Sequence, residues 1–359
     1  MLALLLAACA GPAPIPADTD TDTGPADADG DGVYTPDDCD DADEAVFPGA
    51  PEDPPGDGVD ADCDGPDGVP YVGCAPILVP DVFATIEDAL SAGETSLCLG
   101  AGTFTPGALP EGARGPTAFK GQGRDQTFVT NPAASYRVGV LAGLTATGVV
   151  SGGGSLSGTD VSFVDADVSG VDSFLCDRCA LVRSPVHVDV VERIAGIVLN
   201  DTWVTGAEDA ITVVTSGCSD PSTCSGDFTD IRINNATFTD NARSFVMDLA
   251  GNYQVYLVVQ NAVFLDDATI LAVDIGGPGA EPSLYPSGSD TVVYGTDGDG
   301  FPDGYSFRAR EQDPQLDRAF SPPRPMEGSP LVDAAGDGST LTDFWGVARD
   351  TPDRGAVER

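Results

Sequence analysis

The sequence predicts an all-β chain wound as a parallel β-solenoid, capped by one short helix and preceded by a small Asp-rich module. Three observations predict it. Aromatics are only 7% of 359 residues while Gly (44) and Pro (29) are abundant, which suits many short strands and turns better than a helical bundle. The segments 199–213, 233–247 and 259–273 align without gaps. Finally, acidic residues crowd the start: up to residue 70 there are 17 Asp, 2 Glu and no Lys or Arg.

In chain order, Met1-Leu-Ala-Leu-Leu-Leu-Ala-Ala-Cys9 is an apolar run ending in small residues and a cysteine. It resembles the lipobox of bacterial lipoprotein signal peptides, which implies that Cys9 is lipidated and that the protein is an outer-membrane lipoprotein at the cell surface or outside the cell. The run is too short to span a bilayer and lacks a basic n-region, so the expected start lies upstream of Met1. Residues 10–26 are Pro, Ala, Thr and Asp with almost no large apolar side chain, the composition of a disordered tether.

Residues 27–68 form the acidic module. The stretch 27–38 fits a 12-residue calcium loop: Asp27, Asp29 and Asp31 supply oxygens at positions 1, 3 and 5, Gly32 turns the chain, the Val33 carbonyl is position 7, and Asp38 closes the loop. Hard oxygen ligands at this spacing wrap a hard cation, and no His or Met is at hand for a soft one. Pro36 and the prolines at 48, 51, 54 and 55 forbid the flanking helices of an EF-hand. Asp60, Asp62 and Asp64 are candidates for a second ion. With Cys39, Cys63 and the stretch 47–52, the module resembles the MopE-type metal-binding motif of myxobacterial and related secreted proteins, some of which are described as copper-binding. The ligand chemistry here favours calcium. Asp297-Gly-Asp-Gly-Phe-Pro-Asp303 is half of a similar loop, as well suited to a solenoid turn.

The remainder, 72–359, reads as one continuous domain. Thr85 and Asp88 make a capping-box pattern, and Ile86, Ala89 and Leu90 share a face, so a short helix is expected to cover the open end of the solenoid. In the aligned segments, apolar residues recur at Leu199, Ile233 and Val259, at Val204, Phe238 and Phe264, and at Ile211, Phe245 and Leu271. Asp201, Asn235 and Asn261 are expected to stack likewise. The offsets are 34 and 26, the longer holding an excursion through Cys218 and Cys224. Strand, polar turn, strand at this period is the pattern of stacked coils. Segments 144–150, 156–163 and 194–199 are looser versions.

Eight cysteines besides Cys9 fall in sequence-adjacent couples: Cys39 with Cys63, Cys74 with Cys98, Cys176 with Cys179, Cys218 with Cys224. An even set fits disulfides in an oxidising compartment, although spacing alone does not fix connectivity. Zinc is the competing reading for Cys176 and Cys179, without a second couple or His pair to support it.

The stretches 83–90, 97–104 and 120–128 resemble the opening of pectin-lyase-like right-handed parallel β-helix proteins, and 328–334, 342–349 and 353–358 resemble their terminal signature. The resemblance implies that fold and, less specifically, contact with extracellular or cell-wall polysaccharide or surface proteins. A net charge of -42 with a single lysine, Lys120, argues against nucleic acid or an anionic membrane surface as partner; the membrane is met only through the N-terminal lipid.

Two function classes are therefore expected: a non-catalytic, calcium-binding surface protein that binds glycan or partner surfaces, or a polysaccharide lyase or glycosidase. Lyase chemistry needs a Lys or Arg base near a neutralised carboxylate. The catalytic candidates are His187 with Asp189 on one strand face, and the carboxylate couples Glu208–Asp209 and Asp266–Asp267, expected at the same place in aligned repeats. Solenoid turns normally carry such residues, and no catalytic residue is assigned. Trp203 and Trp345 are the only tryptophans, so an aromatic sugar platform is sparse.

Overall fold

Alternating apolar and polar residues make each coil a set of short strands whose inward side chains stack on those of the next coil. The computed structural model describes residues 28–29, 42–43, 46, 77–112, 115, 118–132, 138–150, 154–190, 196–215, 228–250, 254–276, 283–296, 309–318, 322–326, 328–332, 334–335, 343–344 and 353–357. Among these, twenty strands join into one sheet with parallel pairings throughout its coils.

Each coil contributes three faces. Face I contains Gly196–Asn200, Phe228–Asn234, Gln254–Gln260 and Ser283–Ser289. Face II contains Ala180–Val182, Trp203–Thr205, Thr237–Thr239, Val263–Leu265 and Thr291–Tyr294. Face III contains Val186–Val190, Asp209–Thr215, Arg243–Ala250 and Thr269–Gly276. Gly154–Asp177 is a single 24-residue strand that runs through all three faces. Its Ser155 and Ser173 hydroxyls meet at 2.7 Å, 18 residues apart, which is one coil.

The stacking follows the aligned segments. Leu199, Ile233 and Val259 lie in register on face I, Val204, Phe238 and Phe264 on face II, and Ile211, Phe245 and Leu271 on face III. All nine are buried in one core. Phe238 stacks on Phe264 with centroids 4.8 Å apart, and Phe245 meets both rings. The chain is a parallel β-helix.

Single residues turn the chain at two corners. Between faces I and II these are Asp160, Arg178, Asp201, Asn235, Asn261 and Asp290, with φ from 47° to 53°. Asn and Asp tolerate this left-handed region better than other L-residues, so the expected Asp201–Asn235–Asn261 stack is a corner ladder. Between faces II and III the corner residues are Asp165, Arg183, Gly206, Asp240, Asp266 and Gly295. Both corners place an arginine directly above an aspartate. Arg178 holds Asp160 at 2.7 and 2.9 Å, and Arg183 holds Asp165 at 2.7 Å through two nitrogens.

The cap also forms as expected. Helix α1, Ile86–Ser91, starts at Thr85, whose hydroxyl accepts from the Asp88 N–H at 3.1 Å. Ile86, Ala89 and Leu90 join the same core as Leu97 and Leu99 of the first coil.

At the other end, described parts of the chain beyond Glu311 return over the outside of face II. Leu331 packs on Val263 and Val292. Phe344, Ala356 and Val357 pack on Ala180, Val182 and Trp203. The Gly355 N–H donates to the Asn261 carbonyl at 2.8 Å, and the Ala356 N–H to the Thr237 hydroxyl at 2.9 Å. Furthest along, Arg124 of an early coil lies 4.0 Å over the Phe344 ring and donates to its carbonyl. This return path ties coils that are not neighbours. No described helix is long and apolar enough to cross a membrane.

Candidate functional site

The eight nominated metal ligands are Asp27, Asp29, Asp31, Val33, Asp38, Asp60, Asp62 and Asp64. Only Asp29 is among the described residues, where it is half-buried; the other seven lie outside them. Among the described residues no group of three or more His, Cys, Asp or Glu side chains is gathered to hold an ion. Cys9, Cys39, Cys63, Cys74, Cys218 and Cys224 also lie outside the described residues, as do 297–303 of the half loop and Trp345.

Of the expected disulfides, Cys176–Cys179 forms. The zinc reading is therefore replaced: both thiols are spent on each other, around the corner that Arg178 turns. Room for the bridge comes from Gly158 one coil earlier, where a Cβ would sit 3.0 Å from the Cys176 sulfur and 3.2 Å from that of Cys179. Cys98 is also disulfide-bonded.

The catalytic candidates lie in different surroundings. His187 and Asp189 share the outside of face III, as alternation requires, with Nε2 and Oδ1 3.2 Å apart. The two carboxylate couples are not equivalent, contrary to the expectation that they occupy the same place. Asp209 pairs across the sheet with Arg243, which pairs with Thr269. Asp266 and Asp267 stand instead above Asp240 and Asn241, at the corner before face III. Arg243 binds Asp209 through two nitrogens, at 2.5 and 2.8 Å.

Asp266 and Asp267 also part company. Asp266 points outward to Arg318 of the returning chain. Asp267 is fully buried and accepts from the Asn241 N–H at 2.8 Å, the Asn241 side-chain amide at 3.0 Å and the Ser244 hydroxyl at 2.7 Å. Burial pushes its carboxyl up to about 7, against these three donors. Asn241 in turn accepts from the Ala207 N–H at 3.0 Å, so a polar column runs through this corner. Near the return path, burial lowers the Arg124 guanidinium to about 10 even with Asp160 beside it, and burial raises Asp177.

The three outer faces differ. Face II is covered: Trp203 packs beneath the returning chain and its indole N–H donates to the Thr239 hydroxyl at 3.1 Å. Trp203 is thus a packing residue and offers no platform to a sugar. Face III carries outward carboxylates, with Asp248 and Asp274 in direct register. Face I shows three outward rows along the solenoid axis. One row passes through Asp230, Tyr256 and Tyr285, the next through Val198, Arg232 and Val258, the third through Asn200, Asn234 and Gln260.

Tyr256 and Tyr285 are 38% and 46% exposed and stack with centroids 5.1 Å apart and planes 17° from parallel. Sequence reasoning missed this pair by attending to tryptophan. The available signal was a tyrosine recurring at the same outward strand position. Asn234 donates to the Asn200 side-chain oxygen at 3.0 Å in the amide row, and Arg232 pairs with Asp230 at 2.6 Å.

Comparison with protein families matches residues 38–67 to the model Cu-binding_MopE, described as "Putative metal-binding motif". The chain therefore carries a MopE-type metal-binding motif. The match takes in Asp38, Asp60, Asp62, Asp64, Cys39 and Cys63, and leaves Asp27, Asp29, Asp31 and Val33 before it. No curated protein and no solved structure matches the chain.

Proposed function

We propose that the chain is an exported, surface-anchored, non-catalytic β-helix that binds extracellular or cell-wall polysaccharide or surface proteins and carries calcium in its acidic module. The observation that carries the non-catalytic reading is the separation of Asp266 from Asp267. One carboxylate faces outward to Arg318 and the other is buried under three donors. Two carboxyls acting on one glycosidic bond must flank it on a common surface, which this pair does not do.

The metal reading rests on the family match and on donor type. Asp27, Asp29, Asp31, the Val33 carbonyl and Asp38 would hold one ion, and Asp60, Asp62 and Asp64 a second. All these donors are oxygen, and the chain's one histidine, His187, is on face III. That set fits a hard divalent cation better than copper. When bound, the ion supplies positive charge to the most acidic part of a chain of net charge -42. Export and anchoring through lipidated Cys9 rest on the lipobox-like start and the Cys176–Cys179 disulfide, a bond suited to an oxidising compartment.

Two measurements test the proposal. Calorimetric titration of the full chain with calcium and with copper is expected to give binding heat for calcium, weakened by Asp38→Ala. Heat with copper alone would reverse the metal assignment. A glycan array with and without calcium, followed by product analysis on each hit, is expected to show binding without cleavage. New reducing or unsaturated ends would establish a glycosidase or lyase instead.

A further inference from the structure

We infer that the outside of face I is a binding strip for an uncharged, extended polysaccharide running parallel to the solenoid axis. This rests on the glycan-binding reading above and names its surface and ligand class.

Four observations meet there. First, the described part of the returning chain packs on face II, while Tyr256 and Tyr285 of face I are exposed. Second, its rows are ordered by chemistry. The middle row presents Val198, Arg232 and Val258, with the Arg232 guanidinium turned to Asp230 of the first row, and it is flanked on one side by the tyrosine pair and on the other by Asn234 and Gln260. A pyranose ring has the same cross-section, with apolar C–H faces and hydroxyls around its rim. Alternate outward residues on a strand lie about 6.6 Å apart. A ring centred on Val258 therefore reaches Gln260 with one edge and the Tyr256 edge with the other.

Third, the rows repeat at the strand spacing of about 4.8 Å, so successive sugar units of an extended chain meet successive coils. Tyr256 and Tyr285 lie flat on each other. Their ring edges are consequently what they expose, and the Tyr256 hydroxyl donates to the Gln254 side-chain oxygen at 3.1 Å. Asn234 gives one amide hydrogen to Asn200 and retains a second donor.

Fourth, charge selects the ligand class. On a chain of net charge -42, the charged pair on this strip, Arg232 with Asp230, is neutralised internally. Face III instead stacks Asp248 on Asp274. A polyanion is repelled by the molecule as a whole, whereas a neutral glycan is indifferent to it. The strip thus offers hydrogen bonds and apolar contact with little net charge.

The test is calorimetry on the full chain with calcium, using cellohexaose and chitohexaose as neutral probes and hexagalacturonate as the acidic one. Expected is binding of at least one neutral hexasaccharide, with hexagalacturonate about tenfold weaker or absent. Tyr256→Ala and Val258→Asp should each weaken it about tenfold, while His187→Ala on face III leaves it unchanged; thermal melts verify that each variant is folded. Neutral binding indifferent to both face I changes overturns the inference. If hexagalacturonate binds best and Asp248→Asn or His187→Ala alters it, the glycan face is face III, and the proposed function survives while this strip does not. If no probe binds, this strip falls together with the glycan half of the proposed function, and binding to surface proteins is what is left of it.

Discussion

Faces I and II are built alike, from short parallel strands with inward apolar residues, yet among the described residues the chain's own C-terminal stretch roofs face II and not face I. The outward residues explain the difference. Face II turns Ala180, Val263 and Val292 outward, and each is buried by Phe344, Ala356, Val357 or Leu331. Face I turns out tyrosines, amides and an ion pair, with valines between them. An apolar outer face needs a permanent cover, and an amphipathic one can remain in water and receive a ligand. The cover has a second consequence. Solenoid coils contact only their neighbours, so their stability is close to a sum of local terms. The contact of Arg124 with Phe344, 220 residues apart, adds coupling along the stack.

Removing the cover should therefore have the largest effect. Deletion of residues 312–359 exposes the apolar strip over Ala180, Trp203, Val263 and Val292. At about 1.5–3 kcal/mol per large side chain buried, Phe344 and Leu331 alone represent several kcal/mol. The truncated chain is expected to bind a hydrophobic dye and to melt earlier and over a broader range than the full chain. A melt as sharp and as high as that of the full chain would show that the roof is dispensable. Phe344→Ala is the narrower version, expected to cost about 3–5 kcal/mol if the site behaves as core. Combined with Arg124→Ala in a double-mutant cycle, it should show coupling of about 0.5–2 kcal/mol, since the cation lies on the ring. Strict additivity would leave the contact without energetic meaning.

The same contrast separates what was legible in the sequence from what was not. The inward rows were legible, because a core residue must be apolar wherever its coil lies: Phe238 and Phe264 announced each other across 26 positions. The Asp201–Asn235–Asn261 ladder was legible because the left-handed corner selects Asn and Asp. Helix α1 was legible from its cap and apolar face. Outward rows obey no such rule. The tyrosine stack depends on register across an unaligned excursion, so Tyr256 and Tyr285 went unnoticed. The carboxylate couples were legible and misplaced: the offsets of 34 and 26 themselves set Asp209 opposite Arg243 and Thr269, as the hydrogen-bond register does, and Asp266–Asp267 opposite Gly206–Ala207. Arg178 and Arg183 at left-handed corners were illegible, since arginine is no corner residue until an aspartate one coil earlier holds it. The return of the C-terminal stretch over face II left no periodic signal.

An intermediate effect is expected at Asp267, which sits where faces II and III meet, behind the corner that Arg318 of the roof grips through Asp240 and Asp266. Its carboxyl is raised by burial from 3.8 to about 7. In the folded protein it keeps its proton up to about pH 7, while in the unfolded chain it releases it above about pH 4. Stability from this group is therefore complete below pH 4 and is lost as pH rises towards 7. Asp267→Asn keeps an oxygen for Asn241, and the Ser244 hydroxyl can turn to accept. The variant should melt higher than the parent at pH 8, by a few degrees, and the two should converge near pH 4. An unchanged slope between pH 4 and 7 would place the titration elsewhere.

The smallest effect on stability belongs to face I, and its smallness is what sharpens the comparison. Tyr256 is partly exposed and touches Tyr285 across one strand spacing. Losing such a stacked pair costs about 0.5–1.5 kcal/mol, against the several kcal/mol expected for Phe344. A roof residue removed from face II should thus damage the fold and leave ligand affinity in the surviving folded molecules little changed. A tyrosine removed from face I should do the reverse. Melting curves and hexasaccharide titrations on Phe344→Ala and Tyr256→Ala give four numbers that decide this. A Tyr256→Ala protein that unfolds as readily as Phe344→Ala would mean that face I is structural as well, and that its amphipathic rows serve the stack.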